Sequence, residues 1–181
     1  VNGNTVGGQT LTVTGIASFA STVGAATHLG ALTVTGAASL GGSVDTDTLG
    51  GATGNQTYQG AVTLVNSATL TATAAAGNPV ISFQSTVNGT APGVQNLTVS
   101  AAGATSTIVF GDNVGALVPL GTLSATATGG ITLGSSSPIT IATTGNQTYS
   151  SAVTLAQNTT ITASGANAEV AFASTIAGVG F

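Results

Sequence analysis

Short runs that alternate an apolar residue with threonine or serine recur along the whole chain. They occupy residues 11–13, 32–34, 70–72, 97–99, 123–125, 139–141 and 161–163. A period of two is that of a strand with one face buried and one wet. Turn signals separate the runs, among them Gly41-Gly42, Gly77-Asn78, Asn88-Gly89 and Gly129-Gly130. Pro79, Pro92, Pro119 and Pro138 fall near strand starts or in these connections, where a missing N–H is tolerated. The pattern predicts many short strands.

A second pattern sits beside the first: an aromatic residue or Leu, three residues, then Val or Ile. It occurs at Phe19/Val23, Leu40/Val44, Tyr58/Val62, Phe83/Val87, Phe110/Val114, Tyr149/Val153 and Phe172/Ile176. Leu133 is a degenerate member, with Ser137 in place of the Val. Six of the seven aromatic residues hold this one position, and successive anchors, Leu40 and Leu133 included, lie 16 to 27 residues apart.

The runs belong to larger repeats. Thr53-Gly54-Asn55-Gln56-Thr57-Tyr58 returns 91 residues later as residues 144–149, and Ala61-Val62-Thr63-Leu64 returns as 152–155. Phe83-Gln84-Ser85-Thr86-Val87 matches Phe172-Ala173-Ser174-Thr175-Ile176 at an offset of 89. Val1-Asn2-Gly3, Gly7, Gln9 and Leu11-Thr12-Val13 match Val87-Asn88-Gly89, Gly93, Gln95 and Leu97-Thr98-Val99 at an offset of 86. The expected organisation is one segment over 1–181, with large repeats at 1–86 and 87–175 and the start of a third at 176–181.

Units of about 22 residues with two or three short strands match one coil of a parallel β-helix. One such coil cannot bury its own apolar face, but stacked coils can. The expected fold is therefore an all-β solenoid of about eight coils. Phe19, Leu40, Tyr58, Phe83, Phe110, Leu133, Tyr149 and Phe172 are expected to form one core column, with Thr and Ser in outward ladders and Asn at corners. An immunoglobulin-like sandwich is the competing architecture. The near-identical anchor in every coil, and the lack of a core Trp or Cys, argue against it.

Composition narrows the function. The chain has no Lys or Arg, four acidic residues (Asp45, Asp47, Asp112, Glu169), one His and no Cys, and only 2% of it is charged. Nucleic-acid binding needs cations on phosphates and is excluded. A polybasic membrane contact fails for the same reason, and no apolar run approaches the ~18 residues of a membrane-spanning helix. Without cysteine there is no disulfide framework and no thiolate metal site. Low charge with 42% hydrophobic residues argues against disorder. The chain starts at Val1 and has no methionine, which reads as a processed chain or a piece of a longer one.

The combination Gly-Asn-Gln-Thr-Tyr-x-x-Ala-Val-Thr-Leu (54–64), Phe-x-Ser-Thr-Val-Asn-Gly (83–89) and Gln-x-Leu-Thr-Val (95–99) resembles the repeat regions of very large bacterial surface exoproteins, the filamentous-haemagglutinin-like and autotransporter-like adhesins. The resemblance covers nearly the whole chain and is specific for the repeat type. It implies a right-handed parallel β-helix, secretion across an outer membrane, and a place at the cell surface or outside it in adhesion, biofilm matrix or fibre formation. Total lack of Lys and Arg is a departure from that class.

Chemical sites are sparse. Asp45-Thr46-Asp47 offers two carboxylates to Ca²⁺, too few for a cation that takes six to eight oxygens, and reads as a solvated turn. Asp112-Asn113 reads as a turn pair, and His28 as a surface or interface histidine. Four scattered acids without cations do not make a glycan-cleaving pair, and one His without a nucleophile elbow makes no triad. No catalytic, cofactor or metal site is expected. The Asn-x-Ser/Thr sequons at Asn55, Asn88, Asn96, Asn146 and Asn158 follow from Asn at turns before Thr in strands.

The expected function is thus a non-catalytic filament or stalk segment, whose partner is itself, end to end, or the continuation of its own chain. The alternative is a ligand-binding surface for glycans or host molecules. The pairs Thr12/Thr14, Thr33/Thr35, Thr46/Thr48, Thr71/Thr73, Thr126/Thr128 and Thr160/Thr162 also admit ice binding.

Overall fold

A computed structural model describes residues 1–49, 51–74 and 77–179. It is all-β: parallel strands coil into a β-solenoid of about seven turns with three walls. The first wall stacks β1 (Thr10–Val13), β3 (Ala31–Val34), β6 (Gln56–Tyr58), β9 (Val80–Phe83), β12 (Thr107–Phe110), β14 (Gly130–Leu133), β17 (Val153–Leu155) and β20 (Ile176–Gly178). The second stacks β2 (Ala17–Phe19), β4 (Ala38–Leu40), β7 (Val62–Leu64) and β10 (Val87–Gly89), then passes through a single-residue bridge at Val114 to β15 (Ile139–Thr143) and β18 (Thr159–Ala163). The third begins at a bridge from Val23 and stacks β5 (Val44–Asp47), β8 (Ala68–Thr73), β11 (Leu97–Ala102), β13 (Leu123–Ala127), β16 (Gln147–Tyr149) and β19 (Val170–Phe172).

Every strand pairs with the strand one turn away, so each outward or inward position becomes a column along the axis. β8 shows how the sequence does this: Ala68, Leu70 and Ala72 are buried, while Thr69, Thr71 and Thr73 face out. The bore holds columns such as Ala17, Ala38, Val62, Val87 and Val114, with every member buried. Small and β-branched side chains dominate because three walls close on a narrow interior.

The eight anchors do not form one column. Tyr58, Phe83, Phe110 and Leu133 are aligned on the first wall. Phe19 and Leu40 are aligned on the second, and Tyr149 and Phe172 on the third. The cause is arithmetic. Counting the bridges at Val23 and Val114 as strand positions, a motif and its copy in the next repeat are 11 positions apart, one short of four three-walled turns. A motif therefore moves back one wall from one repeat to the next. Phe19 on the second wall becomes Phe110 on the first, and Gln56-Thr57-Tyr58 on the first becomes Gln147-Thr148-Tyr149 on the third. Two anchor spacings, Leu40 to Tyr58 and Leu133 to Tyr149, span two walls rather than three. That is why about seven turns stand where eight were expected.

Five of the aromatic residues stack face to face. Ring centroids lie 5.3 Å apart for Tyr58 and Phe83, 5.4 Å for Phe83 and Phe110, and 4.9 Å for Tyr149 and Phe172. Phe83, with a ring on each side and 1% exposure, is the centre of the longer stack. Phe83→Ala should lower stability by about 3–5 kcal/mol. Leu117→Ala, at a side chain 82% exposed, should change it by less than about 0.5 kcal/mol. Urea denaturation midpoints compare the two.

Candidate functional site: buried clusters, outward ladders and open edges

Polar chemistry inside the bore is concentrated in two equivalent clusters. Gln56 is fully buried, and its Nε2 donates to the carbonyls of Val44 (3.1 Å) and Thr71 (2.9 Å) and to the Thr46 hydroxyl (3.3 Å). Its Oε1 accepts from the Tyr58 hydroxyl at 3.2 Å. One repeat later, Gln147 donates to the carbonyls of Ile141 (3.4 Å) and Thr162 (2.8 Å) and to the Thr143 hydroxyl (3.1 Å), and accepts from Tyr149 at 2.8 Å. Each glutamine ties its own wall to two successive strands of the preceding wall. The groups satisfy one another and leave no reactive atom free, so these clusters serve cohesion.

The acidic residues do not gather into one site among the described residues. Asp45 and Asp47 lie on β5, where Asp47 Oδ1 accepts from the Leu49 N–H at 2.8 Å. Asp112 accepts from the Asn113 N–H at 2.7 Å. Among the described residues no three His, Cys, Asp or Glu side chains gather as a metal cage. Folding does bring together one pair that sequence distance concealed: His28 Nδ1 lies 3.6 Å from Asp47 Oδ2. The pairing of Leu29 with Thr46 across one turn puts the two side by side.

Asparagines staple one turn to the next at the corners. Asn55, Asn78, Asn113 and Asn146 accept from the backbone N–H of Val80, Thr105, Thr140 and Glu169 at 2.7 to 3.1 Å. Asn88 accepts from Leu117 and Val118, and Asn2 from Ala26. The expected Asn corners are present, but their bonds run to backbone rather than to other asparagines. Of the five sequon asparagines, Asn55, Asn88 and Asn146 are engaged in this way.

Outside, hydroxyls align in register. The first wall carries Thr12, Thr33, Thr57 and Ser82, then Val109, then Thr132 and Thr154. The third carries two ranks: Thr69, Thr98, Ser124 and Thr148, beside Asp45, Thr71, Ser100 and Thr126. The six Thr pairs singled out in the sequence do not share a face. Thr46 and Thr48 point inward and are buried, and the others are spread over three walls. A shallow groove of about 390 Å³ opens beside the third wall, with Thr126, Thr128, Ser150, Ser151 and Ser174 in its lining and no charged residue.

The ends are the other exposed feature. β1 and β2 at one end, and β18, β19 and β20 at the other, are the outermost strands of their walls among the described residues. Core columns run out to these edges: Leu11, Val13 and Phe19 are partly covered at one end, and Leu155, Ile161, Val170 and Phe172 at the other. β20 is exposed along its length.

Burial pushes both tyrosine hydroxyls far above their ordinary pKa. Their folded-state values are raised, so their contribution is full below about pH 10 and is lost as pH rises beyond it. Stability should fall by about 1.4 kcal/mol per pH unit for each tyrosine, and phenolate absorbance should appear together with unfolding. Tyr58→Phe leaves Gln56 Oε1 buried without a donor and should cost about 1–3 kcal/mol in urea denaturation.

No family model, no curated protein and no solved structure matches this chain.

Proposed function

We propose that this chain is a non-catalytic structural segment of an extracellular fibre or adhesin stalk, exported by a bacterium. The observation that carries this reading is the continuity of the bore. Apolar columns and backbone ladders extend to edge strands at both ends, and the open edges suit further turns of the same kind. The dispersed acids and the lack of Lys and Arg support a passive role. The resemblance of residues 54–64 and 83–99 to adhesin repeats supports the extracellular place. Immunogold labelling of intact source cells, with antibody raised against the purified chain, tests it. Label on surface fibres or shed matrix is the expected result, and label confined to the cell interior overturns it.

The two hydroxyl ranks of the third wall favour a second reading, a glycan-binding surface. Eight aligned outward positions, seven of them Thr or Ser, offer repeated donors and acceptors along the axis. If so, glycan-array binding should be lost in the Thr69→Val, Thr98→Val double variant. Binding that survives these changes removes the reading, and thermal hysteresis in solution would instead identify the ladders as an ice-binding face.

A further inference from the structure

Inside the chain, the second large repeat begins by laying three strands on three platforms. Val87-Asn88-Gly89 pairs with Val62-Thr63-Leu64, β11 pairs with β8, and β12 pairs with β9. The last of these stacks Phe110 on Phe83, completing a three-ring column with Tyr58. The same three platforms recur at the C-terminal end. β17 is again Val153-Thr154-Leu155, β18 places Ile161 where β8 has Leu70, and β19 places Phe172 where β9 has Phe83. The three incoming strands recur at the N-terminal end as Val1-Asn2-Gly3, Leu11-Thr12-Val13 and Ala17-Ser18-Phe19.

We infer that the occupant of this end is a second copy of the same chain, joined head to tail by strand exchange. Its Val1-Asn2-Gly3 replaces residues 176–178 on β17, its β1 pairs with β18, and its β2 pairs with β19. The inference rests on the filament reading and specifies its seam. The incoming edge is preformed. Val1 O accepts from the Gly24 N–H at 2.6 Å, Gly3 N–H donates to Thr27 O at 3.0 Å, and Asn2 accepts from the Ala26 N–H at 3.1 Å. The internal seam shows the same set: Gly115 N–H to Val87 O at 2.7 Å, Gly89 N–H to Val118 O at 3.3 Å, and the Leu117 and Val118 N–H groups to Asn88. The resident strand is weaker. β20 is exposed, pairs only with β17, and has Ala177 where the corner asparagine belongs.

Two structural consequences follow. Phe19 of the incoming copy lands on Phe172, extending the pair Tyr149–Phe172 to the three-ring column already present at Tyr58, Phe83 and Phe110. Each wall of the incoming copy also continues the next wall of its neighbour, because β1 from the first wall sits on β18 of the second. Successive copies are rotated by a third of a turn, and each adds seven and a third turns, or roughly 35 Å at ~4.8 Å per turn.

The test is cryo-electron microscopy of the purified chain at high concentration, with a cysteine pair read alongside. Filaments with an axial rise of roughly 35 Å and a one-third rotation, added to the solenoid's own twist, are expected. Phe19→Cys combined with Phe172→Cys should give a ladder of disulfide-linked multimers on oxidation, because the two positions lie at opposite ends of one molecule. Leu117→Cys combined with Phe172→Cys should give no ladder. Phe19→Asp, at the terminal turn, should abolish assembly while the β-sheet circular dichroism is retained. Filaments with a whole number of turns per copy, or filaments without the cysteine ladder, overturn this seam and leave the filament reading standing. A chain that stays monomeric at every concentration overturns the seam, and leaves only a stalk whose turns are covalently continued.

Discussion

Everything in this molecule depends on the in-register parallel ladder between each residue and the one a single turn away. It converts a one-dimensional repeat into columns, and the columns create the core. No turn can bury an apolar face by itself, so stability is shared between neighbours as in other solenoids. The ladder also explains the composition. Positions that face in must tolerate an identical neighbour on both sides, which suits Val, Leu, Ala and flat rings. Positions that face out must form like-with-like ranks. Thr and Ser do this without the repulsion that a rank of equal charges brings.

A chain with almost no charge must satisfy its polar groups in other ways. Corner asparagines take backbone N–H groups of the following turn, and two buried Gln–Tyr–Thr clusters close the gaps between walls. The asparagines act between turns, while each glutamine bonds within its own turn and also reaches one carbonyl of the next, Thr71 for Gln56 and Thr162 for Gln147. Val23 and Val114 stand at two places where a wall is reduced to one bridged residue before a wide loop. There Gly24 and Gly115 adopt positive φ, at 78° and 69°. A side chain at either would run into the carbonyl of Asp45 or Ala142 one turn away.

Much of this was legible in the sequence. Alternation of apolar residues with Thr or Ser located seven strands, such as Leu97–Ala102 and Thr159–Ala163, and the recurring anchors, which fall on most of the others, indicated a solenoid. What was misjudged was the path of the anchors around it. Between paired strands a three-walled turn takes 20 to 29 residues here, as the paired positions Ile141↔Ile161 and Leu70↔Val99 show. The steps from Leu40 to Tyr58 and from Leu133 to Tyr149, at 18 and 16 residues, were too short for a full turn. That shortfall was the available signal for a repeat of 11 strand positions. The His28–Asp47 approach had no such signal, because pairing across a turn rather than sequence proximity creates it. The polar role of Gln56 and Gln147 was also hidden, since a Gln beside Thr-Tyr in a strand reads equally well as outward.

Along a wall, sequence separation counts for nothing and turn number counts for everything. Paired spin labels on the outward ladder of the first wall measure this directly. Thr57 and Thr154 are four ladder steps apart through Ser82, Val109 and Thr132, and Thr12 adds two more through Thr33. Electron–electron resonance should give a separation near 19 Å for the Thr57/Thr154 pair and near 29 Å for the Thr12/Thr154 pair, at ~4.8 Å per step. Distances that do not grow by about 5 Å per turn, or a single broad distribution for both pairs, would contradict the stacked three-walled solenoid.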